Sequence, residues 1–168
     1  MSVSQSQIFN AMKAALDDYE VSYSQPEDEP ILTFTLTTSG QMGSVSVSSY
    51  AYAVDGAILF YTVWPMKAKS ETMAAVAEFI CRANYGLWRG NFELDFRDGE
   101  VRYKAFVSCC GDEMPDPADI KLALVKGINM LDMYGDGLVR VMLGVSDDPA
   151  GEVAKAEAKA KAKAEAEA

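Results

Sequence analysis

The chain has 168 residues, 49% of them hydrophobic, and a chain of this size buries roughly 70% of its unfolded surface in a single core. Its formal net charge of −10 lies within residues 1–150, because the tail from Gly151 balances four Lys against four Glu, and such an acidic domain repels phosphate backbones and disfavours general nucleic-acid binding. There is no histidine, which removes the usual neutral-pH general base and the commonest metal ligand and excludes a Ser-His-Asp or Cys-His site within one chain.

In chain order, Ser4 or Ser6 caps a first helix that runs to about Tyr19. Ile8, Phe9, Met12, Ala15, Leu16 and Tyr19 share one arc at 3.6-residue periodicity. The acidic, proline-flanked stretch 25–30 reads as a loop. Residues 31–37 then alternate Leu32, Phe34 and Leu36 with threonines, as a half-buried strand does. Ser39-Gly40 breaks that strand. Residues 44–54 and 57–64 form a hairpin about Asp55-Gly56, with Tyr50 opposite Tyr61, Ala51 opposite Phe60, Tyr52 opposite Leu59 and Ala53 opposite Ile58. Pro65 is expected to end the second strand.

Ser70 or Thr72 caps a second helix to Asn84, with Met73, Val76, Ala77, Ile80 and Ala83 inward and Gly86 just past its end. A second hairpin follows about Asp98-Gly99, the residue pair suited to a two-residue type I′ turn. That turn places Phe96 opposite Val101, Leu94 opposite Tyr103 and Glu93 opposite Lys104. One face carries Phe92, Leu94, Phe96, Val101, Tyr103 and Ala105, and the other carries opposed charges. Asp116-Pro117 opens a third helix, continuous in phase through Gly135-Asp136-Gly137 to about Leu143.

The order α-β-β-β-α-β-β-α implies an α+β fold: an antiparallel sheet of about five strands with helices on one face. Residues 1–148 form the single domain. The Ala/Lys/Glu-rich segment 149–168 has high helix propensity but no evident apolar face, and reads as a solvated helix or a disordered tail.

Glu78-Phe79-Ile80, Arg82-Ala83-Asn84-Tyr85, the run from Gly90 to Asp95, and Gly99-Glu100-Val101-Arg102-Tyr103 resemble the YbjN family. Those are small bacterial proteins described as sensory transduction regulators, with a fold like that of type III secretion chaperones. The likeness extends more loosely from Ser6 to about Asp148. It carries no catalytic constellation. It implies a non-enzymatic protein-binding regulator or chaperone-like adaptor, as a homodimer whose sheet and helix surfaces hold a segment of another protein.

The partner-binding candidates are Tyr50, Tyr52 and Tyr61 on one strand face, and Leu122, Val125 and Met133 outside the main stripe of the third helix, with Leu143 near its end. Sheets bury their most apolar face, which favours the tyrosines lying under a helix; the alternative is an exposed aromatic surface of the kind enriched at interfaces. Cys109-Cys110 reads as two thiols at a strand end rather than a redox pair. Asp112, Glu113 and Asp116, or Asp132 and Asp136, lack the alternation of a calcium loop. No cofactor or metal is expected.

The three cysteines make no disulfide framework, and the first residues carry no signal-peptide pattern, so a cytoplasmic location is expected. No apolar run is long enough to cross a membrane. The rival reading is a small-molecule sensor or a carboxylate-dependent enzyme, with Glu93, Asp95 and Arg102 as its clustered polar residues.

Overall fold

The structure is a computed structural model that describes residues 3–26, 29–38, 43–54, 56–109 and 113–167. Its elements are α1 (Gln5–Asp18), β1 (Tyr23–Ser24), β2 (Ile31–Thr37), β3 (Ser46–Val54), β4 (Ala57–Lys67), α2 (Met73–Asn84), β5 (Asn91–Leu94), β6 (Glu100–Ser108), α3 (Pro117–Met142) and α4 (Pro149–Ala166). The strands form one antiparallel sheet in the order β1-β2-β3-β4-β6-β5. The α+β class holds, with six strands where five are read from the sequence. The addition is β1, whose two residues are too few for periodicity to reveal; Tyr23 lies opposite Phe34 and Ser24 opposite Thr33.

The β3–β4 hairpin has the expected register: Tyr50 faces Tyr61, Ala51 faces Phe60, Tyr52 faces Leu59 and Ala53 faces Ile58. Asp55 of its turn lies outside the described residues, as do the Ser39-Gly40 break, Cys110 of the vicinal thiols and Asp112.

The β5–β6 register corrects the sequence reading. Leu94 faces Val101, Phe92 faces Tyr103 and Glu93 faces Arg102, a slide of two residues that keeps these paired side chains on their expected faces. The loop is longer than a two-residue turn: Asp95 N–H donates to Glu100 C=O (2.9 Å) and Gly99 N–H donates to Asp95 C=O (2.8 Å). Two aspartates make this loop, since the Asp95 carboxylate accepts from Arg97 N–H (2.8 Å) and the Asp98 carboxylate from Glu100 N–H (3.0 Å). Side chains that bond backbone two residues onward offer the chain an alternative to the tight turn. Gly99 alone supplies positive φ there, at +78°, and a Cβ on it would fall 2.1 Å from the Ala68 carbonyl oxygen. Phe96 is thereby carried out into the loop and exposed.

Pro65 does not end β4. The strand continues to Lys67 through a register irregularity between Val63 and Lys67, a place where a residue without an N–H is tolerated.

Two rows of buried side chains define the inner face of the sheet. One runs Leu32, Ala51, Phe60, Ala105; the other runs Phe34, Ser49, Thr62, Tyr103, Phe92. Helices α1 and α3 lie over this face, α2 packs against β5 and α3, and α4 packs on α2 and α3. Ser4 caps α1 in a reciprocal box with Gln7, and α1 buries Ile8, Met12, Ala15 and Leu16. Asp116 caps α3 by accepting from Ala118 N–H (2.8 Å), and α3 is unbroken through its glycines. At Gly127 the helix comes so close to β4 that a Cβ would sit 2.1 Å from Thr62 Oγ1.

Asn84 explains part of the motif that closes α2. Its side-chain amide accepts from Phe92 N–H (2.7 Å) and donates to Phe92 C=O (3.0 Å). The outermost strand thus has its outward backbone pair satisfied by a helix-borne side chain, which blunts an edge. The segment from Pro149 is helical, but not wholly solvated. Pro149 and Val153 are buried, and Glu152, only 4% exposed, is ion-paired with Arg140 (3.1 Å) and Lys155 (3.3 Å). Beyond those first turns α4 is mostly exposed.

Candidate functional site

Among the described residues no helix lies over the outer face of the sheet, and the tyrosines sit there. This reverses the expectation that they pack beneath a helix. The helix side takes Ser49, Ala51 and Ala53 of β3, small enough for α1 and α3 to approach, and a row of phenols would hold those helices away. Their hydroxyls also keep access to water on the open side.

Tyr50, Tyr52 and Tyr61 form a mutually packed trio, each half-buried. Tyr50 and Tyr61 stack with ring centroids 5.0 Å apart, while Tyr52 meets Tyr50 edge-on at 5.4 Å and Tyr61 at 5.9 Å. Arg102 projects from β6 onto the same face and locks the trio. Its guanidinium carbon lies 4.3 Å from the Tyr61 ring centroid, and Nη1 donates to the Tyr50 hydroxyl (2.8 Å). Arg102 Nε also donates to Glu93 Oε2 (2.8 Å), and Lys104 Nζ pairs with Glu93 Oε1. Glu100 completes the cluster 3.8 Å from Arg102 Nη1.

The electrostatics follow from that packing. Burial pushes the Tyr50 phenol above its ordinary value, against the pull of Arg102. Burial also pushes Glu93 up, but hydrogen bonds from Lys104 and Arg102 outweigh it and hold the carboxylate below its ordinary value. A carboxylate held by two cations is a weak base. Of the rival's polar trio, the structure joins Glu93 and Arg102; Asp95 instead serves the hairpin loop, where Arg97 holds it at about 2. The surface is thus aromatic and charge-balanced. Tyr and Arg provide contact area with polar tips at low entropic cost, the composition of interface hot spots.

The α3 candidates lie on the other side of the sheet and do not join this trio. Leu122 is 41% exposed, Val125 and Met133 are half-buried, Met133 packs against the core, and Leu143 is exposed at the C-cap. Sequence reasoning missed Tyr85 and Trp88, each 90% exposed, and Phe106 at 57%. Strand alternation after Arg102 and Lys104 points Phe106 outward, so its signal was present. The loop holding Tyr85 and Trp88 has no periodicity to read.

Among the described residues no group of three or more His, Cys, Asp or Glu side chains is placed to hold a metal ion. Asp116 is a helix cap, and Asp132 and Asp136 lie along α3. Cys81 is exposed and Cys109 buried. Among the described residues no helix is long and apolar enough to cross a membrane.

These elements define a small α+β protein, an antiparallel sheet backed by helices on one face. The sequence model of the YbjN family, described as "Putative bacterial sensory transduction regulator", matches residues 9–140, and the chain belongs to that family. Among solved structures it resembles the crystal structure of YbjN from E. coli, described as "a putative transcription regulator". The two superpose with a TM-score of 0.56 at 12% identity, over 74% of this chain and 86% of the other, a likeness of fold. A comparison with curated proteins finds no match.

Proposed function

We propose that this chain is a non-enzymatic, cytoplasmic regulator that works by binding another protein, as a chaperone-like adaptor of YbjN type. The observation that carries the reading is the tyrosine trio, uncovered by any helix among the described residues and contacted by Arg102. Pre-packed aromatic side chains lose little freedom on binding, which is where association gains most. The charge of −10 makes a protein, rather than DNA, the direct contact through which regulation acts. A homodimer formed through α2 or the β5–β6 hairpin belongs to the same proposal.

The test is affinity capture from the native cell, with the wild-type chain and a Tyr50→Ala/Tyr61→Ala variant side by side. A partner retained by the wild type and lost by the variant is expected. A metabolite that raises the melting temperature of the isolated chain, with no protein captured, would instead establish the small-molecule sensor reading. Light scattering that shows a monomer at high micromolar concentration would remove the homodimer.

A further inference from the structure

Among the described residues, no strand pairs with the β5 side of β6 at Phe106. The chain of β5 pairs with β6 only as far as Asn91 opposite Lys104, whereas β6 continues to Ser108 along its other neighbour, β4. Backbone polarity along β6 is fixed at both ends. Cys109 N–H donates toward β4, to Gly56 C=O (2.7 Å), while Glu100 C=O accepts from the β5 side, from Asp95 N–H (2.9 Å). Alternate residues point the same way in an antiparallel ladder, so Arg102, Lys104 and Phe106 turn their N–H and C=O toward the β5 side. For Phe106 no hydrogen-bond partner is found among the described residues. Asn84 closes the edge at Phe92; among the described residues no corresponding side chain closes it at Phe106.

Beside this edge is a groove of about 290 Å³ between β6 and the first half of α3. Trp88, Ala105, Leu122 and Ala123 give it apolar walls, and Arg89, Phe106, Asp119 and Lys126 line it as well. Asp119 is engaged by Arg89 at 3.6 Å, whereas Lys126 makes no ion pair among the described residues. In a chain with ten more acidic than basic residues, this groove presents a spare ammonium.

We propose that the edge at Phe106 is a strand-addition site for an extended peptide segment of a partner protein, apolar at alternate positions and carrying a carboxylate that reaches Lys126. Main-chain bonds to Phe106 supply attachment, and side chains entering the groove supply selection. A second copy does not fit by pairing β6 with β6. On that edge each β5 already occupies the stretch facing residues 101–104, which leaves too short a stretch around Phe106 for two copies to overlap. The proposal rests on the protein-binding reading but assigns a separate surface, on the edge rather than the tyrosine face.

The experiment pans a random dodecapeptide phage library on the immobilised full chain and titrates the enriched peptides by fluorescence anisotropy. Enriched sequences are expected to alternate apolar residues and to contain Asp or Glu. Phe106→Pro removes only the outward N–H, leaves the bonds to β4 intact, and is expected to weaken binding at least about tenfold, near 1.4 kcal/mol. Phe106→Thr retains most of the affinity, and Lys126→Glu weakens binding several-fold. On the unmutated protein, the Phe106 amide gains hydrogen-exchange protection when the peptide binds, a readout independent of how the variants fold. Absence of enriched peptides, basic consensus sequences, or no new protection at Phe106 would overturn the proposal. Peptides lost by Tyr61→Ala but indifferent to Phe106→Pro would overturn it while leaving the open-face reading standing.

Discussion

Two aromatic clusters lie back to back on one sheet. On the inner face Phe92 meets Tyr103 at 5.0 Å and Tyr134 at 5.8 Å, and Tyr134 meets Phe79 at 6.3 Å, all edge to face. On the outer face Tyr50, Tyr52 and Tyr61 pack as closely. The difference is the cover. The inner group is sealed by α2 and α3, and burial pushes the Tyr103 phenol up to about 12, its hydroxyl donating to the Arg89 carbonyl (2.7 Å). The outer group has Arg102 where the inner one has helices. Aromatic content therefore does not decide which face of a sheet is buried; the neighbouring small residues do, by setting how near a helix can come.

The largest effect expected from this comparison is on the inner side. Phe92 is 3% exposed and meets the Tyr103 and Tyr134 rings, so Phe92→Ala is expected to cost about 3–5 kcal/mol in urea unfolding. Tyr61→Ala, at a half-buried position on the open face, is expected to cost well under half of that under the same conditions. Equal losses from the two substitutions would mean that the outer face is not open.

The next effect tests the close approach that keeps the tyrosines off the inner face. Gly127→Ala places a methyl within 2.1 Å of Thr62 Oγ1 and 2.7 Å of its Cβ. Helix propensity favours the alanine by about 1 kcal/mol, but overpacking costs about 1–3 kcal/mol, and net destabilisation is expected. A Thr62→Ala change relieves the oxygen contact and restores part of the loss, as thermal melts of the double variant would register. A stabilised Gly127→Ala protein would show that α3 can move away from β4 without cost.

Much of this arrangement was legible in the residues. The Tyr50–Tyr61 and Ala51–Phe60 pairs follow from alternation about a single acidic-glycine corner, and the continuity of α3 follows from phase. The second corner was misread because Asp95 and Asp98 bond backbone locally, and turn propensity alone cannot weigh those bonds against a two-residue turn. Which face was open depended on the long-range meeting of Gly127 with Thr62, 65 residues apart in sequence, which no local pattern encodes. Of the α3 candidates, Leu122 is exposed, but Met133 packs against the core, since an off-stripe position is still covered where a second helix flanks the first. The groove at Phe106 was invisible because it depends on where β5 leaves the sheet.

A smaller effect concerns coupling within the outer trio. Stacked Tyr50 and Tyr61 are expected to show an interaction energy of about 0.5–1.5 kcal/mol in a double-mutant cycle of Tyr50→Ala and Tyr61→Ala. Repeating the cycle in an Arg102→Ala background sharpens the point, because the guanidinium bonds one ring and lies over the other. If the coupling is unchanged there, the trio is held by stacking alone and Arg102 does not pre-organise it.

The smallest effect separates the faces by pH. Glu93 stands on the outer face with its side chain 26% exposed, and its folded pKa lies below the ordinary value of 4.5 because Lys104 and Arg102 outweigh the opposing effect of burial. A depressed carboxylate contributes stability that is complete above the unfolded value and is lost as pH falls through the folded one. Glu93→Gln is therefore expected to cost about 1 kcal/mol or less near neutrality, with the gap to wild type closing as pH drops below 4.5. Added salt should narrow the same gap, since the pair is partly solvated. Phe92→Ala carries no titrating group, so its loss should stay nearly constant over that range, and urea midpoints of the two variants at several pH values distinguish them. A pH-independent gap for Glu93→Gln would show that the carboxylate acts on the outer face by packing rather than by charge.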